Sequence, residues 1–235
     1  MEYRNLSPEE ISGLERQGCT SGNWNEIRVS ASFDVKNICN TVFNGSCRLG
    51  QVQKPLSDSS GREVQGGIYN SVLNNSTVED GTLLRNVHLL ANYHVEPDVL
   101  IENVNELAVN GESGFGNGVE IDVLNEGGGR ELLLFDRLSS QLAYLMVVYR
   151  HDTALIQALR GAIENYSNEK KSVTGRIDSG SRISNCNTIN NVFIGSDVAI
   201  KGAQLLQNGS VIGEKGTTTF VGSGVIAKDF IIQSG

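Results

Sequence analysis

The apolar positions of the most regular part of this chain follow neither of the two common periods. In LLRNVHLLANYHVEPDVLIENVNELAV, Leu83, Leu89, Val95, Ile101 and Leu107 recur every six residues, with Val87, Tyr93, Val99 and then Asn105 four residues after each. A helix repeats its apolar face every 3.6 residues and a strand every two, so an alternating four-and-two spacing fits neither. It fits a three-sided coil of hexapeptides, about eighteen residues per turn, with the aliphatic residue and its partner pointing inward. The spacing recurs upstream at Val29 and Phe33, Val35 and Cys39, and Thr41 and Gly45. Downstream it runs through Ile177, Ile183 and Ile189, slips by one residue, and resumes at Ile194 with Val198, Ile200 with Gln204, Val221 with Val225 and Ala227 with Ile231. In GREVQGGIYNSVLNNSTVEDGT the inward set is either Val72, Val78 and Leu84 or Thr77 and Leu83.

Two segments change period. Ser7-Pro8 with Glu10 three residues after the Ser is a capping box with Pro at the first helical position, which predicts a helix over 8–17 ending at Gly18. Ile11 and Leu14 give it one apolar face with which to lid the first coil. In ELLLFDRLSSQLAYLMVVYRHDTALIQALRGAIENYSNEKKS, the stripes Leu134, Leu138, Leu142, Leu145 and Leu155, Ile156, Leu159, Ile163 predict helices at about 136–149 and 153–167, with Asp152 as N-cap of the second. This hairpin either braces the coil or carries a binding surface. The expected organisation is a capping helix (1–23), a first repeat block (24–112), a glycine-rich loop with the helical hairpin (113–172), and a second repeat block (173–235). VIAKDFIIQSG stops in mid-coil without a polar cap, so the array is expected to continue beyond this chain.

Composition agrees with thin walls and many bends: 27 Gly against 3 Pro, and 6% aromatic residues. A net charge of −8 argues against nucleic acid, which is held by clustered Lys and Arg. No run approaches the roughly 20 apolar residues that span a bilayer, and MEYRNLSPEE lacks a basic-then-apolar leader, so a soluble cytoplasmic protein is expected. Cys19, Cys39, Cys47 and Cys186 show no zinc spacing and are read as free thiols, and no metal site is expected.

Candidate chemistry rests on few residues. His88 and His94 are six apart, which places them on adjacent sides of a three-sided coil. An eighteen-residue turn stacks His88 on Glu106 and His94 on Glu112, where a carboxylate would orient the imidazole as a general base. His151 lies in the turn between the two helices. Asn74, Asn92 and Asn110 are expected to form an amide ladder on the same spacing. Gly127-Gly128-Gly129-Arg130, read as preceding a helix, would cradle a phosphate through backbone N–H groups with Arg130 adding a bidentate contact; the alternative is a plain exit loop.

The phrases MEYRNLSPEEISGLERQGC, FGNGVEIDVLNEGGGRE, LAYLMVVYRH and FVGSGVIAKDFIIQSG resemble the opening part of a family of long hexapeptide-repeat proteins from Bacteroidetes. Its members are of unknown function or labelled UDP-N-acetylglucosamine pyrophosphorylase-related. The hand of the coil comes from this resemblance and from units such as Ile194-Gly195 and Ile212-Gly213. The fold implied is all-β with a helical insertion: a single-stranded left-handed parallel β-helix with a short N-terminal helix and an inserted α-helical hairpin. The implied function is a scaffold for a sugar- or nucleotide-sugar-related transferase, acyl transfer between coils of neighbouring subunits, with His88 or His94 as base and acyl-CoA or a nucleotide sugar as ligand. The alternative is a non-catalytic oligomerisation or ligand-binding scaffold. Either reading expects a homo-oligomer formed through the coil or the hairpin.

Overall fold

The computed structural model describes residues 2–58, 60–122, 128–214 and 216–233. The chain is mostly β, 41% strand and 17% helix. Its largest element is a 14-stranded sheet in which twelve strands lie on one path and Leu205–Ile212 and Ile226–Gln233 branch from it. This sheet curls into a half-barrel and is mixed. Tyr3–Asn5 runs antiparallel to Ile27–Ser30, while the later strands pair in parallel. A 7-stranded parallel sheet, from Ile38–Cys39 to Thr219–Val221, turns its inner residues into the same core. Two antiparallel pairs stand apart, Pro55–Ser57 with Glu63–Gln65 and Glu120–Ile121 with Leu132–Leu133.

The expected single-stranded left-handed parallel β-helix of hexapeptides is therefore corrected to a curled mixed sheet with further sheets beside it. The physical reason lies in the register. The expected inward residues Leu83 and Leu89 give way to Leu84 and Leu90, which are fully buried in the main core. The inward series is Leu84, Leu90, Val95, Ile101 and Leu107, so one side is a residue shorter than six. Val104, not Asn105, completes it. Leu73 with Val78 and Leu84 settles the ambiguous stretch; Leu83 is buried as well, but on the outer side with Leu56 and Leu100, beneath the Pro55–Gln65 hairpin. Stacked asparagines are consequently 17 apart at Asn86–Asn103, 16 at Asn70–Asn86 and 30 at Asn40–Asn70, so no constant turn length is kept.

Those asparagines form the ladder, and they are not the expected ones. Asn40 Nδ2 donates to Asn70 Oδ1 (3.2 Å), Asn70 to Asn86 (3.0 Å), Asn86 to Asn103 (2.9 Å) and Asn103 to Asn185 (3.0 Å). All five occupy the left-handed region, φ +50 to +56. That conformation costs ordinary residues about 1–2 kcal/mol and suits Asn. Asn92 and Asn110 bond elsewhere, to the Val109 carbonyl and to Asn190. Asn103→Ala is expected to lose about 1–2 kcal/mol by denaturant unfolding, since it removes both amide bonds and leaves a Cβ residue left-handed. Asn103→Gly, free of the conformational penalty, should lose less.

The helices follow their local signals. In α1 (Pro8–Arg16) the Ser7 hydroxyl accepts from the Glu10 N–H and the Glu10 carboxylate from the Ser7 N–H, completing the capping box. Fully buried Leu14 seats this helix on the first strands. α2 (Ser140–Val148) starts later than expected because Ser139 takes the N-cap, accepting from the Leu142 N–H. α3 (Thr153–Glu169) begins at Asp152 as expected. Together they close a small core of Leu132, Leu133, Phe135, Met146 and Ile163. Tyr144, Leu145 and Val148 of α2 remain exposed. The insertion leaves the sheet after Glu106–Ala108 and re-enters at Gly175–Ile177, which pairs with Tyr93–Val95 and, through Ile177, with Thr188–Ile194.

Candidate functional site

The chain leaves the sheet for the insertion through a loop of unusual backbone, and a cleft forms at the root of the insertion. Gly111, Phe115, Gly116 and Gly118 all have positive φ. For Phe115, at +52, this is a true departure, because a bulky side chain rarely tolerates the left-handed region. Surrounding contacts hold it there. The Phe115 N–H donates to Ser113 Oγ (3.0 Å), and its carbonyl accepts from Ser210 Oγ (2.7 Å). The Gly116 N–H donates to Asn208 Oδ1 (3.2 Å). A Cβ on Gly116 would lie 2.6 Å from the Phe230 carbonyl oxygen, so the loop is pressed against the sheet wall. Buried Asn117 ties it to the helices, accepting from the Asp136 N–H and donating to the Gly114 carbonyl, both at 2.9 Å.

On one side of this loop is a cleft of about 260 Å³. Phe115 and Phe193 give it apolar walls, and Lys170, Lys171 and Arg176 line it together with the carboxylates of Asp136 and Glu169. Lys170 is engaged, 3.1 Å from Asp136 and over the Tyr166 ring. Burial, the largest influence on Lys170, lowers its pKa, yet the bonds to Tyr166 and Asp136 outweigh it and leave the group raised. Lys171 makes no ion pair among the described residues. On the other side of the loop lies a more open cleft of about 600 Å³, lined by Glu112, Lys228 and Asp229 among others, and sharing Asn117 and Lys171 with the first.

Arg176 connects the first cleft to a column of charged groups on the sheet. It lies 3.3 Å from Glu96 and 2.5 Å from Asp178. Asp178 is raised by burial, against the opposing charge of Arg176. In the sheet register Arg176 stands next to His94, whose Nε2 is 3.4 Å from Glu79 and 3.7 Å from Glu96. The Tyr3 hydroxyl donates to Glu79 (2.9 Å), and burial together with that carboxylate pushes the phenol above its usual range.

The residues expected to act together are thus redistributed. His88 meets Asn105 (3.1 Å), and Glu106 lies in register with Thr188 instead of stacking on His88. His94 does find carboxylates, but they are Glu79 and Glu96; Glu112 lines the wider cleft. His151 stacks on Tyr149, ring centroids 6.0 Å apart. Gly127 lies outside the described residues. The Gly128–Arg130 stretch leads into the strand Leu132–Leu133, not into a helix, and the Gly129 N–H already donates to the Glu131 carboxylate (2.8 Å). The expected phosphate cradle at a helix N-terminus is corrected accordingly. Among the described residues no group of three or more His, Cys, Asp or Glu side chains is gathered for a metal ion.

Sequence reasoning missed Phe115, Lys171, Arg176 and Phe193. An aromatic residue inside a glycine-rich run, in GESGFGNG, was the one available signal, because Lys171 and Arg176 meet Phe193 only through the sheet register.

A family model described as "Domain of unknown function (DUF4954)" matches residues 3–235. An uncharacterized protein of Treponema pallidum (strain Nichols) is 27% identical over 244 residues, covering 99% of this chain and 34% of that protein. The chain thus spans about a third of the length of this curated relative. No solved structure matches. Among the described residues no helix is long and apolar enough to cross a membrane.

Proposed function

Because the chain belongs to the DUF4954 family, a domain of unknown function, we propose its role from the site alone: a ligand-binding module that takes a small organic anion at the root of the helical insertion. The observation that carries this reading is the cleft beside Phe115, where two aromatic side chains face Lys171, a cation without an ion-pair partner among the described residues. Concave sites that combine apolar walls with a few convergent polar groups are where small ligands bind. A left-handed Phe held by flanking hydrogen bonds is the kind of strain that persists where function requires it. The two adjoining clefts together offer room for a ligand the size of a nucleotide sugar or an acyl-CoA head group.

UDP-N-acetylglucosamine and acetyl-CoA are the probes, added in a thermal-shift titration. At one hundred times its dissociation constant a ligand adds about 2.7 kcal/mol, which raises the Tm of a domain this size by roughly 5–10 °C. Lys171→Glu is expected to abolish the shift while leaving the unliganded Tm within a few degrees, whereas Phe115→Ala, which truncates a buried core residue, should abolish it and also lower the unliganded Tm by roughly 10 °C. No shift with either probe sinks this reading.

A second reading, acyl transfer in a sugar- or nucleotide-sugar-related transferase, is favoured by one observation. His94 sits between Glu79 and Glu96 and neighbours Arg176, which lines the cleft. In this reading His94 is the general base and the two carboxylates orient it. His94→Gln should then stop acyl-CoA turnover while preserving binding. Unchanged turnover in both His94→Ala and His88→Ala would remove the transferase reading and leave the binding module.

A further inference from the structure

Two columns of side chains run side by side across three paired strands next to the cleft. Strand pairing sets Thr77, His94 and Arg176 in one column, while the carboxylates Glu79, Glu96 and Asp178 each follow one of the paired Val78, Val95 and Ile177 and form the other. Neighbouring strands lie about 4.7–4.9 Å apart, so like charges are held close together along the acidic column. Two side chains compete for its middle member. Arg176 lies 2.5 Å from Asp178 and 3.3 Å from Glu96 Oε1, and His94 Nε2 lies 3.7 Å from that same Glu96 oxygen and 3.4 Å from Glu79. The other charged and titratable groups around them are already engaged: Tyr3 donates to Glu79 from the antiparallel first strand, Arg48 lies over the Tyr3 ring, and Asp80 is held by Lys54 at 2.8 Å. With His94 neutral, three carboxylates face one guanidinium. A proton on His94 supplies the second cation.

We propose that His94 is a proton switch for the anion site: on taking a proton from solvent it draws Glu96 to itself, and Arg176, which lines the cleft, turns its released charge to the ligand. This rests on the binding-module reading above and adds its regulation. The direction follows from linkage. A bound anion favours the protonated form of His94, so affinity rises as pH falls through the imidazole range, and by reciprocity the ligand draws a proton onto the protein. The shared Glu96 oxygen separates His94 from the other two histidines, since His88 meets an amide, Asn105, and His151 stacks on Tyr149.

Isothermal titration with whichever of UDP-N-acetylglucosamine and acetyl-CoA gives the thermal shift tests the coupling, because comparison between variants cancels any titration of the ligand itself. From about pH 8 to about pH 6 the unsubstituted protein is expected to gain about fivefold in affinity, the low end of ordinary coupling between sites. His88→Gln should keep that gain, and His94→Gln should reduce it to less than about twofold. Glu96→Gln removes the shared carboxylate and should bind about threefold tighter than the unsubstituted protein at about pH 8. A gain that survives in His94→Gln or is lost in His88→Gln overturns the switch and leaves the binding reading intact. So does a Glu96→Gln affinity no higher than that of the unsubstituted protein, or binding by the unsubstituted protein that does not change with pH. Binding of neither probe at any pH removes both.

Discussion

Leu90→Ala is expected to cost about 2–5 kcal/mol in denaturant unfolding, whereas Leu89→Ala, one residue away, should cost less than about 1 kcal/mol. Leu90 is fully buried between Leu73 and Leu107 in the parallel stack, while Leu89 is only half-buried. Removing the Leu90 side chain leaves a cavity that neighbouring backbones, hydrogen-bonded on both sides, cannot collapse to fill. The pair of variants discriminates between two registers. A strict six-residue period puts Leu89 inside and makes it the costly substitution; the observed register reverses the order. Equal costs would contradict both.

Gly175→Ala is expected to destabilise the protein by about 1–3 kcal/mol, and by more if the wall cannot yield. The added methyl would lie 2.4 Å from Tyr93 Cε1 and 2.7 Å from Val109 Cγ2. The Tyr93 ring has no freedom to retreat. It is completely buried, and its hydroxyl donates to the Val192 carbonyl (2.7 Å) and accepts from the Val192 N–H (3.3 Å). Gly175 is also where the chain re-enters the sheet after the insertion, so the same methyl would push Gly175–Ile177 away from Tyr93–Val95. A Tm equal to that of the unsubstituted protein would show that this junction is looser than the packing implies.

The helices were legible because their signals are local. The Ser7-Pro8 box and the Asp152 cap act within one turn of backbone, and those caps formed where the residues placed them. The repeat of short apolar strands was legible for a similar reason, since Val95, Ile101 and Leu107 do point inward. Register was not. Adjacent leucines at 83–84 and 89–90 make either choice compatible with burial, and a shift of one residue exchanges the inner and outer faces. Leu83 found a second apolar environment under an outer hairpin, which no spacing rule anticipates. The expected His88–Glu106 pairing failed with that register, because a 17-residue offset brings Asn105 to His88.

Sequence alone determined that this chain is mostly β with a helical pair set between strands, that α1 is capped as it is, and that its histidines are few and separate. These follow from short-range periodicity and from side chains bonding their own backbone. Tertiary structure alone decided that the strands close as a curled mixed sheet instead of a uniform coil, which asparagines form the ladder, and which side chains border the cleft. Phe115 and Phe193 lie far along the chain from Lys171 and Arg176, and it is the pairing of Ile177 with Ile194 and the bond from Ser210 to the Phe115 carbonyl that gather them. Such pairings depend on the sum of many buried contacts across the sheet, a quantity that no local pattern records.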